Sequence, residues 1–259
     1  MAFLSASSLS RLSAGMSSYY LSRFGRRARF RAKVVSNIAE SSSQICPLCE
    51  GADVSNYYRD KVRGYVQCGT CQLVFVPPHE HLSAFEEKAY YDLHENRPDD
   101  PGYRKFLSRL FDPLSARLPP NARGLDFGSG PGPTLSRMFV EAGYEVALYD
   151  PYYAPDISVL SAQYDFITMS EVVEHLAAPG MELDRLWNCL SPGGWLGIMT
   201  KRVRDPQAFR TWHYIRDPTH VSYFSEATFQ WLVARLSTQQ LRAELFVAGA
   251  DTVLIGKIE

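Results

Sequence analysis

Cys46-Pro47-Leu48-Cys49 and Cys68-Gly69-Thr70-Cys71 form two C-x-x-C pairs with eighteen residues between them. Each x-x turn folds its second sulfur back beside the first, so each pair offers two thiolates to one ion. Two such knuckles make the tetrahedral S₄ set that zinc takes. Four protein ligands leave no open position for a reacting water, so Cys46, Cys49, Cys68 and Cys71 are read as a structural site. The metal would supply folding energy to a stretch of ~35 residues whose own core is too small to do so. Two disulfides, or four unrelated buried thiols, are the alternatives; the regular spacing and the lack of any sign of secretion weigh against them. Cys189 stands apart, at apolar-face spacing with Leu186 and Leu190, and reads as a core residue.

Chemistry is therefore sought elsewhere, first in Leu125-Asp126-Phe127-Gly128-Ser129-Gly130-Pro131-Gly132. This run follows a short apolar segment and opens a helical one, the place where an open α/β sheet binds a nucleotide-like ligand. Its glycines let the backbone approach that ligand. Asp150, 24 residues after Asp126, ends the next apolar run, where a carboxylate can accept both hydroxyl protons of a ribose. The chain has no G-x-x-x-x-G-K-[ST], and Pro133 stands where a dinucleotide fingerprint needs its last glycine. A third group is Glu171, Glu174 and His175, at i, i+3 and i+4. One helical turn would put them on a single face, with His220 following later. His175 and His220 are the candidate general bases or acceptor-positioning groups, since imidazole titrates near working pH. Trp212, His213, Tyr214 and Tyr223 either line an acceptor pocket or pack a lid on the sheet.

The elements that must hold these groups divide the chain into a leader over 1–44, a cysteine module over 45–78, a linker over 79–102 and a larger domain over 103–259. Apolar positions Phe106, Leu107, Leu110, Phe111 and Leu114 predict a helix over 103–118, with Pro113 as a kink and Pro119-Pro120 ending it. Beyond Arg123, short apolar runs alternate with helical stretches, the pattern of parallel strands joined by crossover helices. Strands are expected at 124–127, 145–149, 165–169, 195–200, 242–247 and 252–258, and helices at 134–142, 182–189 and 226–236. The fold class is α/β, a doubly wound Rossmann-like sheet preceded by a small zinc-ribbon-like module.

The 259 residues are 46% hydrophobic and 21% charged, which excludes a chain disordered throughout, and no apolar stretch is long enough to span a bilayer. The formal net charge of -1 conceals two unlike parts. Residues 1–44 carry seven basic side chains and Glu40 as their one acid, which leaves 20 basic and 27 acidic residues in 45–259. An Arg- and Ser-rich, acid-poor N-terminus reads as a transit peptide, with chloroplast favoured over mitochondrion on its Met1-Ala2 start and Ser/Ala bias. A disordered basic tail is the alternative. The acidic body disfavours a nucleic-acid partner.

The turn LDFGSGPG, the acid of LYD, and the segments YDFITMSEVVEHL and LSPGGWLGIMT together resemble the successive motifs of class I S-adenosylmethionine-dependent methyltransferases, over about residues 103–259. The resemblance implies S-adenosylmethionine as cofactor. Asp126, Gly128 and Gly130 would lie against its methionine part, with Phe127, Ser129 and Gly132 also in the cofactor-binding set, Asp150 would hold its ribose, and Ser170 with Glu171 would lie beside the sulfonium. Pro192-Gly193-Gly194 would be a structural turn. The fourteen residues between Asp150 and Asp165 are too few for the usual helix and third strand, so the adenine-binding acid lacks a counterpart, and Gln163 or Ser161 is the substitute. CPLC, CGTCQLVF and Tyr90-Tyr91 are similar to the N-terminal zinc-binding segment of methyltransferases acting on sugars and related metabolites. The implied activity is O-, C- or N-methylation of a small-molecule acceptor. The alternatives are an RNA methyltransferase, with a divalent ion at Glu171, Glu174, His175 and His220 as in small-RNA 2′-O-methyltransferases, and a non-catalytic zinc-ribbon adaptor with a vestigial methyltransferase fold.

Overall fold

The structure, a computed structural model, describes residues 44–93, 97–237 and 241–258. The leader over 1–44 lies outside the described residues except for its last residue.

The cysteine segment opens with the first knuckle and runs into β1 (Val54–Arg59), β2 (Gly64–Cys68) and β3 (Val74–Phe75). The knuckles are built alike. Glu50 donates its N–H to the Cys46 carbonyl and Gln72 to that of Cys68, and both Glu50 and Gln72 adopt positive φ, 58° and 61°. The stretch expected to be a linker contains α1 (Ala84–Tyr91), started by a reciprocal capping box between Ser83 and Glu86. Next comes α2 (Pro101–Ser115), which Asp100 caps by accepting from Gly102 and Tyr103. Pro113 lies inside α2, two residues before its last residue, Ser115, and the helix stops short of the Pro119-Pro120 pair.

The larger domain follows as β4 (Arg123–Phe127), α3 (Thr134–Glu141), β5 (Glu145–Tyr149), β6 (Tyr164–Ser170), α4 (Pro179–Cys189), β7 (Leu190–Met199), α5 (Pro206–Arg210), β8 (Ser222–Tyr223), α6 (Glu226–Leu236), β9 (Arg242–Val247) and β10 (Thr252–Ile258). Its six-stranded sheet has the order β5-β4-β6-β7-β10-β9. The first four strands are parallel, and β10 is antiparallel to both β7 and β9. Side chains alternate between the two faces as the pleat requires. Leu125, Ile167, Ile198 and Val253 pack with α4 and α6, while Phe166, Met199 and Leu254 pack with α2 and α3. One 3-10 turn, Ile157–Ser161, stands between β5 and β6, where a helix and a third strand would otherwise be. Pro192-Gly193-Gly194 lies inside β7 rather than before it. Tyr164 pairs with Leu190 and Phe166 with Trp195, so the motif is a bulge in the ladder, with Gly193 at φ 79°.

The chain passes from β4 outward to β5 and then back across to β6. The carboxyl ends of β4 and β6 therefore flank the switch point where an open sheet binds its ligand. The glycine turn, Asp150, Ser170-Glu171 and Thr200 follow β4, β5, β6 and β7 respectively, all at this edge.

The cysteine segment is continuous with this domain. β1, β2 and β3 form a second sheet whose fourth strand is β8, paired as Val74 with Tyr223 and Phe75 with Ser222. Leu48, Leu73 and Phe75 share a core with Leu183, Leu186 and Phe224. At the N-terminus of α4, Gly180 donates its N–H to the Pro47 carbonyl at 3.1 Å, and a Cβ on Gly180 would stand 2.5 Å from the Leu48 oxygen. Backbone on both sides leaves little room to yield. Gly180→Ala is expected to destabilise the protein by about 1–3 kcal/mol, the usual range for overpacking. Urea unfolding of variant and wild type checks this, and an unchanged midpoint would contradict the close docking of knuckle on helix.

Candidate functional site

Two groups of side chains gather at the carboxyl edge of the sheet. The first is the glycine turn. Gly128 and Gly130 have φ of 77° and 63°, and the N–H groups of Gly128 and Ser129 both reach the Tyr149 carbonyl, at 2.8 and 3.3 Å. Gly128 faces Val172, whose Cγ2 would lie 2.5 Å from an added Cβ, whereas nothing lies within 4 Å of a Cβ on Gly130. Asp150 accepts from Gly130 N–H at 2.9 Å through one oxygen and from Tyr152 and Tyr153 N–H at 2.8 and 3.0 Å through the other. The sequence-predicted turn and acid are thus in direct contact. Ser129 carries a buried hydroxyl with no protein partner, and Gly132 closes the turn by accepting from Thr134 N–H.

Two members of the predicted cofactor set sit further in. Asp126 is buried on the helix side of β4 and accepts from the Ser136 hydroxyl and from Thr168 Oγ1, the latter at 2.7 Å. Burial pushes its carboxyl up, and these two hydrogen bonds pull it back. It ties α3 and β6 to the strand that carries the turn. Phe127 stacks on Tyr149 with ring centroids 5.2 Å apart.

The second group surrounds the end of β6. Glu171, Glu174 and His175 do not share a helical face. Glu171 has φ 53° and continues the sheet by donating its N–H to the Met199 carbonyl, so a right-handed helix cannot include it. Only a 3-10 turn, Val173–His175, forms. The turn brings Glu174 and His175 to His220, with one ligand-capable atom of each within 4.8 Å of the others, and leaves Glu171 outside the trio. Glu174 is fully buried. One of its oxygens accepts from the Tyr214 hydroxyl and the other has no protein partner. Tyr214 also lies 3.2 Å from Thr200 Oγ1 and 3.5 Å from a Glu171 oxygen, so a single phenol bridges the ends of β6 and β7. His220 is buried with its Nδ1 2.8 Å from the Tyr214 carbonyl, and His175 Nδ1 lies 3.3 Å from the Thr219 carbonyl. The two imidazoles meet edge to face with centroids 4.7 Å apart, and Tyr91 of α1 packs on His175.

Burial pushes His220 down to about 4, against the opposing pull of Asp217, so its ring is neutral near pH 7. Burial pushes Glu174 up to about 7, with the hydrogen bond from Tyr214 opposing, and raises Glu171 as well. A carboxyl raised from 4.5 to about 7 by folding stabilises the native state below 4.5 and loses that contribution as pH rises through 7. Gln in its place stays neutral. The stability of Glu174→Gln relative to wild type, in metal-free protein, is expected to grow from pH 5 to pH 8. Parallel thermal unfolding curves at both pH values check this, and an unchanged difference would contradict it.

Sequence reasoning missed Arg63, Tyr152 and Glu87. The Tyr152 hydroxyl donates to Glu87 at 2.8 Å and fastens α1 beside the Asp150 loop. A small cavity of about 80 Å³ lies under α1, lined by His81, Glu87, His175 and Thr219 among others.

In the segment that packs on the N-terminus of α4, the four cysteine sulfurs lie within 4.8 Å of one another. Cys46 and Cys71 are 3.4 Å apart, as are Cys49 and Cys68, and all four are free thiols. Zn–S bonds of about 2.3 Å imply S–S separations of roughly 3.8 Å, so the set fits a tetrahedral ion with small adjustment.

A family model described as a methyltransferase domain matches residues 93–236, more than half of the chain. The chain belongs to this methyltransferase family. It is an S-adenosylmethionine-dependent methyltransferase with a class I, Rossmann-like sheet. Among solved structures, this methyltransferase is similar to 1,6-didemethyltoxoflavin-N1-methyltransferase from Burkholderia thailandensis, bound to 1,6-didemethyltoxoflavin and S-adenosylhomocysteine. Identity is 17%, with 78% of this chain and 97% of that one covered and a TM-score of 0.39. An O-methyltransferase family protein of the same organism gives 14% identity, coverage of 70% and 65%, and a TM-score of 0.45. An S-adenosylmethionine-dependent methyltransferase from Thermotoga maritima, described as a possible histamine N-methyltransferase, gives 14% identity, coverage of 59% and 88%, and a TM-score of 0.38. No curated protein matches the methyltransferase in sequence.

Proposed function

We propose that this methyltransferase transfers the methyl group of S-adenosylmethionine to an oxygen, carbon or nitrogen of a small-molecule acceptor, with Cys46, Cys49, Cys68 and Cys71 holding a structural zinc. The contact of the glycine turn with Asp150 is the observation that carries the cofactor part of the reading. Asp150, oriented by Gly130 N–H, and the unpartnered Ser129 hydroxyl offer an acceptor and a donor suited to the polar rim of S-adenosylmethionine. Gly128, Gly132, Phe127, Ser170 and Glu171 complete the surroundings, and Asp126 braces the turn from below. When bound, S-adenosylmethionine supplies an electrophilic methyl group. The protein's own work is then to align the acceptor atom with it and keep water out, and alignment alone contributes much of the rate. Tyr214, His175 and His220 stand beside Glu171 to do this. His220, pushed down to about 4, serves better as a neutral hydrogen-bonding group than as a strong base.

The acidic body supports a metabolite over RNA as the acceptor. Incubation with radiolabelled S-adenosylmethionine and either a low-molecular-mass extract or total RNA tests this. Label is expected in the first pool. Label in RNA would favour the RNA reading, and label in neither the adaptor reading. The residues of 1–44 are read as a chloroplast transit peptide, with mitochondrion as the alternative. A fluorescent fusion of that segment that stays in the cytosol would contradict both.

One observation favours a second reading. Glu174, His175 and His220 converge, and Glu174 keeps one unpartnered buried oxygen, an arrangement that suits a divalent ion beside the acceptor. Metal analysis of the purified protein separates the readings. One zinc per chain supports the first, and a second ion lost in Glu174→Gln supports the other.

A further inference from the structure

Arg63 lies in the turn between β1 and β2, on the arm that the cysteine knuckles anchor. The turn is tight: Asp60 accepts from the N–H groups of Val62 and Arg63 through one carboxylate oxygen, at 2.6 and 2.8 Å. Arg63 is nevertheless only 6% exposed, because its side chain leaves the arm and enters the methyltransferase domain. There Nε donates to the Tyr65 hydroxyl (3.0 Å) and Nη1 to the Pro218 carbonyl (3.0 Å), and the two hydrogens of Nη2 are shared among the carbonyls of Ile215 (3.0 Å) and Asp217 (2.7 Å) and the Tyr223 hydroxyl (2.9 Å). A buried guanidinium is costly unless its donors are met, and these acceptors are fixed in space only while the 213–223 segment keeps its present course.

That segment carries one wall of the site. Three of its carbonyls turn toward Arg63. Tyr214 reaches Glu174 and Thr200, and His220 sits on the Tyr214 carbonyl. Tyr223, which receives from Arg63, donates its own hydroxyl hydrogen bond to the His220 carbonyl at 3.0 Å. The backbone pairing of β3 with β8 and the bond from Val76 N–H to the Val221 carbonyl hold the far end of the segment. Within 213–218 the side chains of His213 and Tyr214 reach Lys201, Glu174 and Thr200, while the backbone carbonyls are met by Arg63 and by Tyr65, which lies 3.2 Å from the Ile215 oxygen.

We propose that Arg63 is a positioning residue for methyl transfer, supplied by the cysteine arm, which sets Tyr214 and His220 against the end of β6. The inference rests on the reading of that edge as the transfer site. It gives the arm a part in the reaction: the knuckles hold β2 and β3, the β1–β2 turn presents Arg63, and Arg63 sets the acceptor wall while the glycine turn stands apart. Lysine cannot replace it, since one ammonium has three donors and lacks the planar fork that spans carbonyls several residues apart.

The test uses the full metal-loaded chain with histidine labelled by ¹⁵N, in wild type, Arg63→Ala, Arg63→Lys and the control Arg59→Ala, a side chain 67% exposed on the same arm. In wild type, His220 should give the signal of a single tautomer, protonated at Nδ1, because a carbonyl accepts there. Both Arg63 variants are expected to turn this into an averaged signal. Their turnover of the labelled-methyl assay should fall at least ~30-fold, while zinc content, KM for S-adenosylmethionine and S-adenosylhomocysteine affinity stay within ~3-fold. A purely structural role would lower all of these together. The proposal is overturned if both variants keep the single tautomer, if turnover persists when the tautomer is lost, or if cofactor affinity falls in step with turnover. Should Arg63→Ala not fold, Arg63→Lys decides. If wild type itself fails to bind S-adenosylhomocysteine, the underlying reading fails instead.

Discussion

Chelation of the purified protein, or Cys68→Ser, is expected to lower the melting temperature by at least ~10 °C and to release about one zinc per chain. Cys46, Cys68 and Cys71 are fully buried, and their core continues through Leu48, Leu73 and Phe75 to Leu183 and Leu186 of α4. A structural zinc set is worth roughly 10–16 kcal/mol of apparent binding energy near pH 7, comparable with the whole stability of a domain. Even a third of that, ~4–5 kcal/mol, corresponds to some 10–20 °C in a domain of this size. The loss would not stay in the arm. β3 pairs with β8, and Arg63 holds the 213–218 segment, so hydrogen exchange should rise in residues 213–223 as well as in 46–76. Thermal unfolding with and without chelator, followed by exchange, checks both parts. A protein that loses its zinc and keeps its melting point would show the knuckles to be ornamental to the fold.

Gly128 and Gly130 are expected to fail in different ways. Both have positive φ, where any side chain costs about 1–2 kcal/mol. At Gly128 an alanine Cβ also meets both γ-methyls of Val172, at 2.5 and 2.8 Å, and Val172 is itself buried and stiff at χ1. Gly128→Ala should therefore cost a further ~1–3 kcal/mol of stability, and affinity for the cofactor falls because the turn must move. At Gly130 the space beside the Cβ is open. Gly130→Val should fold with a melting point a few degrees below wild type and yet bind S-adenosylhomocysteine at least ~100-fold more weakly, since the branched side chain fills the space and disturbs the bond from Gly130 N–H to Asp150. Unfolding and calorimetry on the two variants check the contrast. Equal losses of stability, or undiminished binding by Gly130→Val, would contradict it.

Much of the sheet was legible because its strands are short apolar runs between turn residues. The spans 145–149, 242–247 and 252–258 match the structure residue for residue. The missing third strand could be counted from Asp150 to Asp165, since no helix plus strand fits in that interval. Cys189 was readable as core from its spacing; it is buried and donates to the Leu160 carbonyl. What escaped depends on contacts remote in sequence. Pro192-Gly193-Gly194 looks like a turn, and only its pairing with β6 makes it a bulge. Glu171, Glu174 and His175 have helical spacing, and only the left-handed Glu171, tied to β7, breaks it. Arg63 gave no signal at all, because three of its acceptors are backbone carbonyls more than 150 residues away, which no motif can encode.

The central claim is that the glycine turn and Asp150 together hold the cofactor. Titration calorimetry of S-adenosylhomocysteine into the wild type and Asp150→Ala tests it most directly. One site per chain is expected in wild type and a loss of at least ~30-fold in affinity in the variant, about 2 kcal/mol for hydrogen bonds to a charged group. Absence of binding to a folded, zinc-loaded wild type, or equal affinity in the two proteins, would contradict it.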